Sequence, residues 1–217
     1  MQTSQVSQSV ERMTENVELA NKAFRVILLA VEDVVGKHGT ATVLRQANLP
    51  QYIDYCPPSN MERGGHRLEY LSRINRALFD IYGRRGARAI LQRSGRSRAA
   101  DAIAENGVLA NATKLAVKLL PRRTKVKLVL DTVAREYGEQ LGTPVKIEDD
   151  GEFFYWQDSH CGSCMGWQSE QPVCFTNVGF VHGLVAWILD SDECKVEEIE
   201  CRAAGAPACK YRVSLSV

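Results

Sequence analysis

Apolar residues recur at helical spacing through the first two thirds of the chain. In 17–36 they fall at Leu19, Ala23, Val26, Ile27, Ala30, Val31 and Val34, one face of a helix closed by Gly36 and Gly39. Residues 49–60 read as a connector, because Pro57-Pro58 continues neither a helix nor a central strand. A second stripe, Leu68, Leu71, Ile74, Leu78 and Ile81, ends at Gly83. Helices are expected again over 87–105 and 108–120, parted by Asn106-Gly107 and stopped by Pro121. A last helix of this half covers 125–141, with Val126, Val129, Leu130, Val133, Tyr137 and Leu141 on one stripe.

After Gly142 the period changes. Residues 144–149 alternate Val145 and Ile147 with polar side chains, 152–157 are rich in aromatics, and Asp149-Asp150-Gly151 between them predicts a β-hairpin. A loop bearing Gly and Cys spans 158–172, followed by an apolar helix over 175–189. Two further strands, 196–202 and 209–216, flank the small-residue turn AAGAPA. Helices, hairpin, helix, hairpin is the order of an α+β fold: an antiparallel β-sheet with a helical layer. Residues 1–60 read as an N-terminal helical extension, its first dozen polar and frayed, and 61–217 as the main domain.

Composition narrows the class. At 217 residues, 45% hydrophobic and 24% charged, the chain has ample material for a core. Its apolar runs, around 24–35 and 178–189, are broken by charge or glycine, so no transmembrane segment is expected. The first residues have neither a basic start nor an apolar run, which predicts a cytoplasmic location. A net charge of +1 argues against nucleic acid as a partner. That balance hides an asymmetry: residues 148–200 hold twelve acids and one base, Lys195, whereas 84–98 hold six arginines and no acid. The arginine-rich face is either solvated or a contact for an anionic partner, such as ligand carboxylates, an acidic protein or a membrane surface.

Six of the seven cysteines lie in the last 57 residues. In a reducing compartment, such clustering points to metal or redox chemistry before disulfides. Glu198-x2-Cys201-x7-Cys209 places a carboxylate and two thiols on strand, turn and strand, and Cys174, just before a helix, offers a fourth ligand for tetrahedral zinc. Regular strand alternation would send Glu198 and Cys201 to opposite faces, so this site requires a twist or bulge near the turn. The alternative is that Cys201 and Cys209 are small core residues. His160-Cys161-x2-Cys164 is a knuckle in which Gly162 permits a tight turn. It is open to three chemistries: a second metal, an iron–sulfur cluster sharing Cys174, or a redox-active dithiol. Cys194, between two acids, is expected to be exposed, and Cys56 and His66 stand in no constellation.

The stretch PVCFTNVGFVHGLVAWIL, followed by VEEIECRAAGAPACKYRV, resembles the C-terminal signature of the 4-vinyl reductase (4VR) domain family, a Cys before a Gly-containing helix and then E-x-x-C-x-A-x-G-x-x-x-C-x-aromatic. Glu198, Cys201, Ala203, Gly205, Cys209 and Tyr211 carry the match, which is specific over 172–213. The resemblance implies the ligand-binding fold shared with phenol-sensing activators and a vesicle-tethering subunit, often a homodimer. It also implies a zinc held by Cys174, Glu198, Cys201 and Cys209. Cys161 and Cys164 lie outside the family pattern.

Other candidates are the aromatic residues Trp156, Trp167 and Trp187, with His182, as the lining of a ligand pocket near the sulfurs. His182 reads equally as a core histidine. No phosphate loop, nucleophile–base pair or dinucleotide fingerprint is present. The expected function is therefore a metal-containing binding or carrier protein for a hydrophobic or tetrapyrrole-like small molecule, linked by the resemblance to chlorophyll or photosystem biogenesis. The alternatives are an iron–sulfur-dependent vinyl reductase of tetrapyrroles, supplied with electrons from outside, and a dimeric assembly or tethering factor.

Overall fold

The apolar stripe that opens the chain starts on a strand. The computed structural model describes residues 17–105, 117, 119–141 and 144–215. In it Glu18–Ala20 forms β1, antiparallel to β2, Arg63–Arg67, with Leu19 opposite His66. Helix α1 then runs Asn21–Gln46 and α2 runs Glu69–Glu105. The stop expected at Gly36 and Gly39 is a bend instead. Gly36 takes φ 72°, a left-handed conformation glycine reaches without strain, and the helix resumes to Gln46. Gly83 bends α2 in the same way at φ 64°. The helix expected over 108–120 falls almost wholly outside the described residues, as do the polar N-terminal dozen and the break at Gly142.

Helix α3 covers Arg122–Leu141 and buries Val126, Val129, Leu130 and Val133 as its stripe predicts. The second half is the expected α+β arrangement. Strands β3 (Val145–Asp149), β4 (Phe154–Asp158), β5 (Lys195–Glu200) and β6 (Cys209–Ser214) form an antiparallel sheet in the order β3-β4-β6-β5, and α4 (Phe175–Leu189) connects β4 to β5. The first hairpin closes as read: Asp150 Oδ1 accepts the N–H groups of Glu152 and Phe153, and Gly151 takes φ 92°. Two apolar clusters result. One packs α1 on the first part of α2 around Phe24, Leu44, Leu71 and Leu78. The other packs α3 and α4 on the sheet around Leu130, Trp156, Leu184 and Tyr211, with Ala99 and Ile103 from the far end of α2. Helix α2 thereby joins both cores. Among the described residues no helix is long and apolar enough to cross a membrane.

His66, which has no partner in the sequence pattern, closes the N-terminal layer. Asn21 Nδ2 donates to Asn60 Oδ1 at 2.8 Å, so Asn21 Oδ1 faces His66 Nε2, also at 2.8 Å. Nε2 therefore carries the hydrogen, and Nδ1 accepts from the Tyr52 hydroxyl at 2.7 Å. Phe24 stacks on the ring with centroids 5.0 Å apart. Burial holds the His66 pKa below its ordinary value, partly offset by Glu18. A depressed histidine binds its proton better in the unfolded chain. Its contribution to stability is therefore full above about pH 6.5 and lost as pH falls toward the folded value. His66→Gln is expected to flatten the decline in urea midpoint between about pH 7.5 and 5.5. Tyr52→Phe should cost about 1–3 kcal/mol by leaving Nδ1 without its donor. An unchanged pH slope in His66→Gln would assign the decline to other groups.

Candidate metal centre

Three segments far apart in sequence bring sulfur to one point. Strand β4 ends at Asp158, and the loop after it supplies Cys161 and a single 3-10 turn, Gly162–Cys164. Gly162 is required there: a Cβ would lie 2.5 Å from Leu68 Cδ1, so no larger residue lets the turn lie against the start of α2. The loop ends at Cys174, the residue preceding the first turn of α4. Cys201 leaves β5 into a second 3-10 turn, Arg202–Ala204, and Gly205 at φ 92° returns the chain to Cys209 at the head of β6.

The bulge that the zinc reading required is present. Glu198 pairs with Tyr211 and Glu200 with Lys210, so β5 carries one more residue than β6 between them. The extra residue, Ile199, is 40% exposed, while Glu198 turns inward toward Cys174 and accepts its backbone N–H at 2.7 Å. One inserted residue thus moves Glu198 to the side of Cys201.

The sulfur atoms are close. Cys161 and Cys174 are 3.6 Å apart, Cys164 and Cys209 3.5 Å, Cys174 and Cys209 3.8 Å, and Cys174 and Cys201 3.9 Å. All five side chains are at most 2% exposed. Two groups of four have ligand atoms within 4.8 Å of one another: Cys161, Cys164, Cys174 and Cys209, and Cys174, Glu198, Cys201 and Cys209. For metal–sulfur bonds of about 2.3 Å, a tetrahedral ion spaces its sulfurs about 3.8 Å apart. The donors therefore fit a four-coordinate ion. N–H groups also point at the sulfurs, from Asn177 Nδ2 to Cys161 at 3.3 Å and from the Arg202 backbone to Cys209 at 3.4 Å.

Such crowding cannot ionise freely. Sulfur-to-sulfur hydrogen bonds, led by Cys164, pull the Cys161 and Cys201 thiols toward the thiolate, while burial first and the neighbouring sulfurs next push Cys174 up. Burial, then the charge of Cys201, pushes Glu198 up to about 9. Burial and Cys161 push Asp158 up to about 8. A cation placed among these groups would relieve the mutual repulsion that holds several of them protonated.

The remaining sequence candidates sit elsewhere. His160 belongs to neither group of four, and its Nδ1 lies 3.1 Å from Ser159 Oγ. Trp156 is 2% exposed and packs edge-on to Tyr137 and Phe180, whereas Trp167 meets Phe79. Trp187 and His182 lie half-buried on α4, and His182 Nδ1 is buried without a hydrogen-bond partner. None of the four lines the enclosed cavity between α1, α2 and α4. Cys194, expected to be exposed, is 6% exposed: the chain folds back after α4 and covers it among the core side chains. Cys56 is exposed, as a bystander would be. The arginine row is partly engaged within the fold. Arg84 and Arg88 lie over the Phe175 ring, Arg93 pairs with Asp33, and Arg98 lies over Phe180. Asn177 and Tyr211, 3.1 Å apart beside Cys161, complete the sulfur site. Tyr211 stands in the family pattern. Asn177 is legible in the sequence only as a polar residue in the first turn of an apolar helix.

Comparison with known proteins agrees with this geometry. No curated protein matches the sequence. Among solved structures, an H-NOX protein from work on the function of heme distortion is similar, with a TM-score of 0.56 at 13% identity, over 90% of this chain and 94% of that one. A point mutant of the T. tengcongensis H-NOX gives 0.54 at 14% identity, over 89% and 96%. The phenol-responsive sensory domain of the transcription activator PoxR gives 0.45 at 15% identity, over 68% and 74%. At these identities the likeness concerns the fold. Residues 158–215 match the model of the 4-vinyl reductase (4VR) domain, a span that contains every donor of the sulfur site, and it is to this family that the C-terminal part of the chain is similar.

Proposed function

We propose that this protein binds a hydrophobic small molecule in the layer between α1, α2 and α4, and that a zinc ion on Cys174, Glu198, Cys201 and Cys209 braces its C-terminal strands. The observation carrying the metal is the convergence of buried sulfurs and a carboxylate at tetrahedral spacing. Thiolates with one carboxylate are a zinc donor set, and four protein ligands leave no open position, as in a structural site. Spacings below 4 Å favour a single ion over an iron–sulfur cube, which interposes irons and sulfides between its cysteines. The vinyl-reductase reading loses its electron relay on the same ground.

The ligand assignment rests on the enclosed cavity, about 10 Å³ in volume, walled by Val31, Leu71 and Leu91, with polar groups from Asn75, Ser94 and Arg98. Arg98 Nη1 is buried there without a hydrogen-bond partner. Apolar walls with a few convergent polar groups are the composition of a small-molecule site. In this closed state the cavity holds about one water, so a single-ring compound with one anionic or hydroxyl group demands the least opening. Since the H-NOX structures of similar fold concern heme, a tetrapyrrole is the larger ligand to test. Asn75 Nδ2 also donates to the Ser163 carbonyl at 3.0 Å, so filling the cavity would be felt in the loop of Cys161 and Cys164.

Metal analysis of the purified protein, with titration calorimetry against single-ring phenols, aromatic carboxylates and porphyrins, tests both parts. Zinc, together with binding abolished by the cavity-filling Ser94→Leu, is the expected result. Absence of metal would sink the first part, and binding indifferent to Ser94→Leu the second.

A further inference from the structure

The two groups of four share Cys174 and Cys209. One tetrahedral ion uses four of the six donors. If it sits on the Glu198 side, Cys161 and Cys164 remain beside it as spare buried thiols. On the other side, Cys201 and the carboxylate of Glu198 are left over, with Glu198 Oε1 buried and unpartnered. We propose that the site is binuclear. A first ion lies on Cys174, Glu198, Cys201 and Cys209, and a second on Cys161, Cys164, Cys174 and Cys209, with Cys174 and Cys209 as bridging thiolates.

Three observations carry this beyond the single brace on which it rests. The bridging sulfurs are 3.8 Å apart, while Cys161 lies 3.6 Å from Cys174 and Cys164 lies 3.5 Å from Cys209, so the second ion finds a sulfur against each end of the shared edge. Both ions are then four-coordinate, and no donor of the six is idle. The Cys161 sulfur is also prepared as an anion, because Asn177 Nδ2–H points at it from 3.3 Å and the Tyr211 hydroxyl lies 3.6 Å away. An N–H aimed at sulfur stabilises a thiolate ligand and does little for a neutral thiol. The balance is simple. Five thiols and one carboxyl release their protons to solvent, two dications enter, and the centre carries a net charge of −2, facing the positive end of α4 at Cys174.

The test is zinc stoichiometry in the full chain, loaded with excess Zn²⁺, passed over a weak chelating resin, and read by elemental analysis and native mass spectrometry. Two ions per chain are expected for the wild type, and one for the Cys161→Ser/Cys164→Ser double variant. Cobalt(II) then reports the bridge without any substitution: thiolate-bridged cobalts couple, so the high-spin resonance should rise to one equivalent and fall toward two. One zinc in both wild type and double variant overturns the second site and leaves the single brace standing. Two zincs with a cobalt signal that doubles overturns the bridge. No zinc at all overturns the brace as well.

Discussion

Cys209→Ala is expected to empty the metal centre and to lower the melting temperature by roughly 6–16 °C. The figure takes about 3–4 kcal/mol per donor from the total for a structural zinc and about 2–4 °C per kcal/mol for a chain of this size. Cys209 is the most exacting position to alter because its sulfur touches those of Cys164 and Cys174, and the backbone N–H of Arg202 also points at it. Removing it also frees the turn after Cys201, which otherwise holds β5 to β6 at the bulge. Cys194→Ala is the matched control. It too is a buried cysteine, 6% exposed, but outside both donor groups, so it should cost only a small cavity and keep the metal. Differential scanning with metal analysis of both variants separates the cases. Equal losses of stability, with zinc retained in Cys209→Ala, would reduce Cys209 to a core residue.

Much of this centre is legible because its chemistry is local in sequence. A carboxylate and two thiols around one turn, and a thiol before a helix, can be recognised from spacing, and strand alternation demands the bulge without fixing its position. The junction of Cys161 and Cys164 with the family set is not legible. It depends on the loop after β4 folding back along α2, where Gly162 meets Leu68 nearly a hundred residues away. The N-terminal layer misleads for a related reason. Leu19 fits a helical stripe as well as a strand, and only pairing with β2, more than 40 residues along the chain, makes residues 18–20 extended. Gly36 reads as a stop because a left-handed glycine ends many helices, whereas here the chain bends and the helix resumes. His66 gains its role from Tyr52 and Asn21, contacts that no period in the sequence announces.

The crossing of α2 and α4 predicts the opposite of what helix propensity does. Glycine inside a helix is less favourable than alanine by about 1 kcal/mol, so Gly95→Ala and Gly179→Ala should stabilise on propensity alone. Packing reverses the sign. A Cβ at Gly95 would lie 2.0 Å from the Thr176 carbonyl oxygen and 2.7 Å from the Phe180 nitrogen, and a Cβ at Gly179 would lie 2.1 Å from the Gln92 carbonyl oxygen. These neighbours are backbone, so no side-chain rotation relieves them and the helices must part. Overpacking of this kind costs about 1–3 kcal/mol and occasionally more, and here separation also unseats Phe175 and Phe180 from their arginines. Gly183→Ala is the milder comparison, since its Cβ would meet only the Ala99 methyl at 2.7 Å and, farther off, the Arg96 backbone, its Cα at 3.3 Å. The expected order of urea midpoints is wild type, then Gly183→Ala, then Gly95→Ala and Gly179→Ala at the bottom. Because Cys174 stands at the start of α4, the two severe variants should also bind zinc more weakly, a loss that helix propensity cannot produce. A Gly95→Ala protein as stable as wild type, with its metal affinity unchanged, would mean that α2 and α4 do not approach to backbone contact.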